Sequence, residues 1–242
     1  MEKKRIEGED SEIEQFAAVL ETVFTERRFL LPDETAKKMG AYFEELLAEN
    51  KKQNLTRITD PVAAAEKHFY DSVIPMAAIA KGAKVLDVGS GGGFPIMPLK
   101  AIRKDIKACA IEASHKKCAF MQEASQSAEI DVDVICGRAE ELAHDQELRE
   151  SFDVCVSRAV APLVQLLEIT APFVAVGGLV LAYKGDYATE LAEAEDAITV
   201  LGLELEEKIY AGRGKTVLAF RKIKTTGETY PRKYAKISKK PL

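Results

Sequence analysis

The chain has 242 residues, of which 47% are hydrophobic and 30% are charged, and its formal net charge is −5. These proportions are those of an ordinary globular domain, and no stretch approaches the ~18 consecutive apolar residues of a membrane span. The first ten residues are charged and lack an apolar stretch, so we expect no secretory signal and a cytoplasmic location.

Two amphipathic helices are predicted in the first 50 residues. Apolar residues recur at spacings of three and four within residues 11–29 and again from Ala36 onwards, which places them on one face of each helix. Residues 50–56 are polar and indicate a loop. The Asp60-Pro61 pair is typical of a helix start, and a helical stretch follows to Ala80. We therefore predict an N-terminal helical segment, residues 1–80, that packs on the rest of the chain.

A buried strand then runs into a glycine-rich turn. Gly89, Gly91 and Gly93 follow the apolar stretch in the spacing G-x-G-x-G. A ligand at such a strand–turn–helix junction meets free backbone N–H groups. The dinucleotide-binding spacing needs glycine where Phe94 stands, and no Gly-Lys-Ser/Thr follows, which excludes a Walker A motif. A glycine-rich turn without a ligand is the alternative.

Strand-like and helical stretches alternate after this turn. The predicted strands are residues 83–88, 106–111, 132–136, 152–156 and 179–183, with a helix over 115–127, a crossover helix over 186–201 and a closing hairpin around 212–214. This pattern predicts an α/β fold, Rossmann-like, with a seven-stranded, mostly parallel sheet and an antiparallel edge pair. Ligands of such sheets lie outside the carboxyl ends of the strands. The polar residues that follow the strands are Asp87, Glu112, Glu140, Arg158 and Lys184.

Two of these residues carry specific expectations. Glu112 lies 23 residues after Gly89, and an acid about 20 residues past the glycines binds ribose hydroxyls in related folds. Glu112 is therefore predicted to bind ribose, with a solvated strand-end acid as the alternative. Arg158 is predicted to face the ligand, with a surface ion pair as the alternative.

Basic residues concentrate at the C-terminal end. Residues 221–242 carry eight Lys or Arg and one Glu, a net charge of +7, so the remaining chain carries −12. A basic strip on an acidic protein binds polyanions locally. A solvated, frayed tail is the alternative.

The cysteines and histidines are spaced without a metal-ligand pattern. The four cysteines contain no Cys-x-x-Cys pair, and the three histidines form no ligand spacing with them. We expect buried thiols in a reducing compartment and no metal site.

Seven pieces between position 50 and the C-terminal end form a recognisable set. They are Gln53-Asn54-Leu55-Thr56, Lys67-His68-Phe69-Tyr70-Asp71-Ser72, the run from Asp87 to Pro95, Arg138-Ala139-Glu140, Ser157-Arg158-Ala159-Val160-Ala161, Lys184-Gly185, and the tail Tyr230-Pro231-Arg232-Lys233 with Lys239-Lys240-Pro241-Leu242. With these pieces the chain resembles the bacterial 16S ribosomal RNA guanine-N7 methyltransferases, the RsmG family, also called glucose-inhibited division protein B. The family usually has a small residue where this chain has Ile96.

The resemblance implies a class I methyltransferase fold with S-adenosylmethionine as methyl donor. It implies N7 of one guanine as acceptor, in 16S ribosomal RNA of the small ribosomal subunit. The cofactor contacts of the family fall on Gly89, Phe94, Ala139, Glu140 and Arg158. Together with Gly91, Gly93 and Glu112, they complete the predicted cofactor-binding set.

Guanine N7 carries a lone pair and no proton, so methyl transfer to it needs positioning and no general base. Arg158 and Asp71 are the predicted catalytic residues, with Asp71 facing the target base or capping a neighbouring helix. The predicted RNA contacts are Asn54, His68, Lys184, Arg232, Lys233, Lys239 and Lys240. For His68 a structural role, and for Asn54 a turn, are the alternatives.

We predict three parts: a helical segment (residues 1–80), an S-adenosylmethionine-binding core (81–222) and a basic tail (223–242). The chain is expected to be a monomer without metal or membrane contact. One alternative is a methyltransferase of another RNA, a protein or a small molecule. A non-catalytic RNA-binding module on the same fold is a second alternative. A nicotinamide dehydrogenase is disfavoured by Phe94.

Overall fold

The computed structural model describes residues 7–212 and 214–242, which build a seven-stranded sheet covered by helices on both faces. The strands are β1 (Lys84–Val88), β2 (Lys107–Glu112), β3 (Val132–Cys136), β4 (Phe152–Arg158), β5 (Val174–Lys184), β6 (Leu203–Gly212) and β7 (Lys215–Lys222). Their order is β3-β2-β1-β4-β5-β7-β6. Strands β1 to β5 pair in parallel, whereas β7 is antiparallel to both of its neighbours. The predicted fold class and the antiparallel edge hairpin are confirmed.

The helices are α1 (Glu7–Glu26), α2 (Asp33–Asn50), α3 (Pro61–Ala64), α4 (Asp71–Val73), α5 (Ile96–Ile102), α6 (His115–Ser127), α7 (Ala139–Leu142), α8 (Leu163–Thr170), α9 (Ala188–Glu193), α10 (Glu195–Val200) and α11 (Tyr234–Lys239). A π-helical turn, Ala65–Tyr70, joins α3 to α4. Asp60 caps α3, because its carboxylate accepts the backbone N–H of Ala63 at 2.8 Å. This confirms the helix start that the sequence predicts.

Successive side chains of the central strands point to opposite faces of the sheet, so the core consists of one apolar cluster on each face. Val85 of β1 belongs to the apolar cluster under α1, α2 and α5, whereas Leu86 and Val88 belong to the cluster under α8. A strand that is buried on both faces is mostly apolar, as β1 is apart from Lys84 at its exposed start and the buried Asp87. The N-terminal helices thus pack directly on the sheet, through residues such as Phe24 and Tyr42.

The predicted crossover helix is interrupted in the structure. The crossover helix expected over residues 186–201 is two short helices, α9 and α10, which meet at Ala194. Ala194 has backbone angles of φ −93° and ψ 2°, outside the helical range. Ala194, at the break, and Ala197, on α10, are both fully buried in the cluster under α8. In the predicted hairpin 212–214, Arg213 lies outside the described residues.

The C-terminal tail, predicted as residues 223–242, is folded onto the core. Ile237 on α11 is fully buried in the cluster under α8. Arg149 donates to the carbonyl oxygens of Tyr230 and Thr226, both at 2.9 Å. The frayed-tail alternative therefore does not describe the backbone of this segment.

Within the two described ranges, no helix combines the length and apolarity needed to cross a bilayer. In the same residues, no group of three His, Cys, Asp or Glu side chains lies in an arrangement that could hold a metal ion. All four cysteines are free thiols, of which Cys136 is half-buried and the other three are buried.

Candidate active site

The glycine turn after β1 is supported from below by α2. The hydroxyl of Tyr42, which is fully buried, donates a hydrogen bond to the carbonyl oxygen of Gly92 at 2.9 Å. A Cβ on Gly93 would lie 2.1 Å from that hydroxyl oxygen, and φ at Gly93 is +86°, so the position requires glycine. A Cβ on Gly91, by contrast, would meet open space. The turn therefore exposes Gly91 to a ligand, whereas Gly93 packs against Tyr42.

A cleft of about 520 Å³ lies over this turn, at the carboxyl ends of β1 to β4; we call it the glycine-turn cleft. Seven of the eight predicted cofactor residues line it: Gly89, Gly91, Phe94, Glu112, Ala139, Glu140 and Arg158. The eighth, Gly93, is buried beneath the turn. Strand ends that are far apart in the sequence thus meet at one edge of the sheet, as parallel topology requires.

Glu112 is held in a fixed position at the end of β2. Its Oε2 accepts the backbone N–H of Gly91 at 3.0 Å, and its Oε1 accepts the backbone N–H of Ser114 at 2.9 Å. A carboxylate has about four acceptor positions, so two remain for a pair of hydroxyl groups. Because the backbone already orients this carboxylate, ribose binding requires little further ordering of the side chain.

A cluster of stacked side chains lies between the glycine turn and the π-helical turn. The His68 ring stacks on Phe94 with centroids 4.6 Å apart, and the Arg158 guanidinium lies 5.5 Å from the Phe94 centroid. Arg158 donates from Nη1 to the Lys67 carbonyl oxygen at 2.8 Å and from Nη2 to His68 Nδ1 at 3.4 Å. The surface ion pair considered for Arg158 is therefore not the arrangement in the structure.

These contacts assign the proton on His68. A guanidinium only donates, so Nδ1 accepts and the proton resides on Nε2, which lies 2.7 Å from Thr56 Oγ1. Burial, aided by the charge of Arg158, lowers the pKa of His68 to about 3. His68 is neutral near pH 7 with both ring nitrogens occupied inside the protein, which matches the structural alternative; its RNA contact stays a prediction.

Asp87 lies directly beneath the glycine turn and is fully buried. Its Oδ2 accepts the backbone N–H of Ile96 at 3.3 Å, whereas its Oδ1 has no hydrogen-bond partner among the described residues. Burial raises the pKa of Asp87 to about 7. The carboxyl group is therefore partly protonated at neutral pH.

A second cavity, of about 370 Å³, adjoins the glycine-turn cleft. Arg158 and Ala159 line both spaces. The second cavity also contains Asp71 and Lys184, two of the residues singled out from the sequence. Lys184 donates to the Ala161 carbonyl oxygen at 2.8 Å and pairs with a carboxylate of α9 at 2.7 Å.

Asp71 forms an ion pair with Lys215, the first residue of β7. The carboxylate of Asp71 therefore lies in the lining of the second cavity in direct contact with a cation, and the helix-cap alternative does not match this contact. The two side chains are only partly buried, with exposures of 15% for Asp71 and 38% for Lys215.

The basic tail has fewer free charges than its composition indicates. Arg221, Lys222 and Arg232 are each paired with a glutamate. Arg232 donates to Glu168 from Nε at 2.8 Å and from Nη2 at 2.6 Å, and Glu168 is fully buried. The exposed cations of the tail are Lys224, Lys233, Lys236, Lys239 and Lys240. Asn54 is also exposed, next to Leu55 of the glycine-turn cleft.

Comparison with known proteins decides the family. The model of the family described as "rRNA small subunit methyltransferase G" matches residues 35–216. The chain belongs to the rRNA small subunit methyltransferase G family. It is therefore an S-adenosylmethionine-dependent methyltransferase, as the resemblance implied.

Curated members of the rRNA small subunit methyltransferase G family match nearly the whole chain. The protein of that name from Lactobacillus johnsonii is 37% identical, covering 88% of this chain and 94% of the relative. The relative from Pelotomaculum thermopropionicum is 36% identical, covering 90% and 95%. The relative from Caldanaerobacter subterraneus is 39% identical, covering 83% and 87%.

Solved structures agree on the fold. A SAM-dependent methyltransferase from Aquifex aeolicus superposes with a TM-score of 0.55 at 16% identity, covering 73% of this chain and 98% of that chain. A ribosomal protein L11 methylase from Lactobacillus delbrueckii gives 0.51 at 22% identity, covering 63% and 77%. The sheet of this member of the rRNA small subunit methyltransferase G family is therefore that of the class I methyltransferases.

Three residues of this family member have a place in the site that sequence reasoning missed. Tyr42 supports the glycine turn, and Lys215 faces Asp71. Tyr234, at the start of α11, lines the glycine-turn cleft, and the Arg138 guanidinium lies 5.4 Å from its ring centroid. Each contact joins residues far apart in the sequence, so no local pattern indicates it.

Proposed function

We propose that this chain transfers a methyl group from S-adenosylmethionine to N7 of a guanine in 16S ribosomal RNA of the small ribosomal subunit. The observation that carries the proposal is the shared wall: Arg158 and Ala159 line both the glycine-turn cleft and the second cavity. A donor in the first space and a base in the second would meet at that wall. The relatives are named ribosomal RNA small subunit methyltransferase G, which supports small-subunit ribosomal RNA as the substrate.

The residues of the glycine-turn cleft fit the donor. The volume of about 520 Å³ is in the range of small-molecule sites. Gly91 opens onto this space without a side chain, and Glu112 presents a backbone-oriented carboxylate suited to ribose hydroxyls. We assign the border of the adenine ring to Ala139 and Glu140. Bound S-adenosylmethionine supplies an electrophilic methyl group on a sulfonium.

Methyl transfer to N7 requires the methyl group to be aligned with the N7 lone pair. It also requires surroundings that tolerate a positive charge on the guanine ring. The N7 lone pair forms the new N–C bond as the C–S bond breaks, the bonding pair stays on sulfur, and no proton moves. Positive charge passes to the guanine ring, so a cation placed on N7 would oppose the transfer. Arg158 already donates to Lys67 and His68, which keeps its guanidinium occupied within the wall. Its role in this proposal is to hold that wall in place.

We propose that the exposed lysines of the tail bind RNA phosphates. Lys233 lies next to Tyr234 at the rim of the glycine-turn cleft, and Lys239 and Lys240 follow on and after α11. Cations at these positions would bring the RNA backbone to the cleft edge, and each phosphate contact adds to the salt dependence of binding. Arg232 is committed to Glu168, so its proposed RNA contact has less support.

The test is methyl transfer to small ribosomal subunits isolated from cells that lack this protein. Labelled S-adenosylmethionine and purified chain should yield 7-methylguanosine at one position of 16S RNA, identified by nucleoside mass spectrometry. R158A should lower the rate at least about 100-fold, because the wall between the two spaces loses its anchor. K107M, on an exposed lysine at the opposite sheet edge, is the matched control. Absence of labelled guanosine with folded protein that binds S-adenosylhomocysteine would overturn the proposal.

A further inference from the structure

Asp71 and Lys215 form an ion pair in the second cavity and are not among the residues predicted to bind S-adenosylmethionine. Several other polar groups of this cavity are engaged elsewhere: the Tyr183 hydroxyl donates to the Ser72 carbonyl oxygen at 2.6 Å, and Lys184 is paired with Glu190. Asp71 and Lys215 are in direct contact in the lining of this cavity and remain partly open to solvent. A carboxylate and an ammonium group therefore lie side by side in the lining of this cavity.

This pair is complementary to one base edge. The Watson–Crick edge of guanine places the O6 acceptor beside the N1–H and N2–H donors. An ammonium group only donates and a carboxylate only accepts, so the two together match that order. Adenine and cytosine present an amino donor where guanine presents O6, which would face the ammonium group. Uracil matches the first two groups with O4 and N3–H, but it presents the O2 acceptor where guanine presents the N2–H donor, and it has no N7.

We propose that Asp71 and Lys215 select the target guanine by its Watson–Crick edge. The Asp71 carboxylate accepts from N1–H and N2–H, and the Lys215 ammonium group donates to O6. This inference rests on the proposed function, since it names the residues that read the acceptor base. N7 lies on the adjacent Hoogsteen edge, next to O6. In this proposal the Hoogsteen edge would face Arg158 and Ala159, which line both this cavity and the glycine-turn cleft.

The same arrangement favours the transition state over the bound substrate. Methyl transfer makes the guanine ring cationic, so N1–H becomes a stronger donor and its bond to the Asp71 carboxylate strengthens. An interaction that is stronger in the transition state than in the ground state raises kcat. Asp71 should therefore affect kcat as well as KM.

The experiment uses the intact chain, small ribosomal subunits and a charge-swap variant. D71K/K215D keeps an ion pair in the second cavity but reverses the donor and acceptor order. We expect its thermal stability and its affinity for S-adenosylhomocysteine to stay close to wild type, while kcat/KM falls at least 100-fold. If the ion pair only stabilises the fold, the swapped pair should serve equally well, and kcat/KM should stay close to wild type. Activity within threefold of wild type overturns the inference.

Isosteric D71N is the second variant, since it keeps the shape of the side chain if the swap does not fold. We expect kcat/KM to fall about 100-fold with S-adenosylhomocysteine affinity within twofold of wild type. D71N activity within threefold of wild type also overturns the inference. A wild-type chain that leaves the subunits unmethylated contradicts the proposed function itself, so the two failures are distinguishable. K107M is again the matched lysine control.

Discussion

Removal of Arg232 should undock the C-terminal tail. Glu168 is fully buried on α8, and Arg232 gives it three hydrogen bonds, from the backbone N–H at 2.9 Å, Nε at 2.8 Å and Nη2 at 2.6 Å. R232A removes the two side-chain bonds and leaves a buried carboxylate with one backbone donor. Breaking a buried ion pair in this way costs about 3–5 kcal/mol. We expect a loss of about 3 kcal/mol, because an undocked tail lets water reach Glu168.

Urea denaturation at pH 7 measures this loss, and hydrogen exchange locates it. R232A should accelerate amide exchange in α11 while β1 and β4 stay protected. R232K keeps the charge but loses the two-point contact, so it should lie between R232A and wild type. The double variant E168A/R232A should be less destabilised than the sum of the single variants, since no unpaired charge remains.

A value for R232A within 0.5 kcal/mol of wild type would refute the anchoring role. If Arg232 contacts RNA phosphate instead, R232A should leave the unfolding free energy unchanged. The salt slope of RNA binding should then fall by about 0.7–0.9 for the lost contact. The two readouts therefore separate tail anchoring from phosphate binding.

Three further predictions concern the glycine turn and the cleft above it. The pKa of Asp87 rises from 3.8 to about 7 on folding, so its stabilising contribution is present below pH 4 and is lost as pH rises through 7. D87N removes this titration. The unfolding free energy of D87N minus that of wild type should therefore increase by up to about 4 kcal/mol between pH 4 and 7 and then level off. If this difference is the same at pH 4 and pH 7, the raised pKa of Asp87 is contradicted. G93A should lose about 3 kcal/mol or more in urea denaturation, because its methyl group collides with Tyr42 and φ is positive; near-wild-type stability refutes the packing role. Y234A removes a ring that lines the cleft and should weaken S-adenosylhomocysteine binding about fivefold by calorimetry, whereas Y234F keeps the ring and should not. If Y234A binds S-adenosylhomocysteine as tightly as wild type, Tyr234 does not contact the nucleoside.

Local patterns in the sequence predict most of the sheet. The apolar run before Gly89 and the later strand-like stretches match β1 to β5 in order, and α6 begins and ends at the predicted residues. Seven of the eight predicted cofactor residues share one cleft, because parallel strands bring their carboxyl ends to the same edge. The strand–turn–helix pattern in the sequence thus predicts where the cleft lies.

Packing and pairing over long sequence distances are what local patterns miss. The composition of the tail indicates eight free cations, but Lys222 and Arg232 are paired with glutamates from distant elements. Gly93 belongs to the same spacing pattern as Gly91, yet Tyr42 of α2 decides its role. Asp71 could face a base or cap a helix until β7 brings Lys215 opposite it.

A crystal structure of the chain with S-adenosylhomocysteine tests the central claim most directly. We expect the nucleoside to occupy the glycine-turn cleft, with the ribose hydroxyls on Glu112 and the sulfur directed toward the wall of Arg158 and Ala159. Density for the nucleoside at any other place on the sheet, or an empty cleft at saturating ligand, would contradict the assignment of this site.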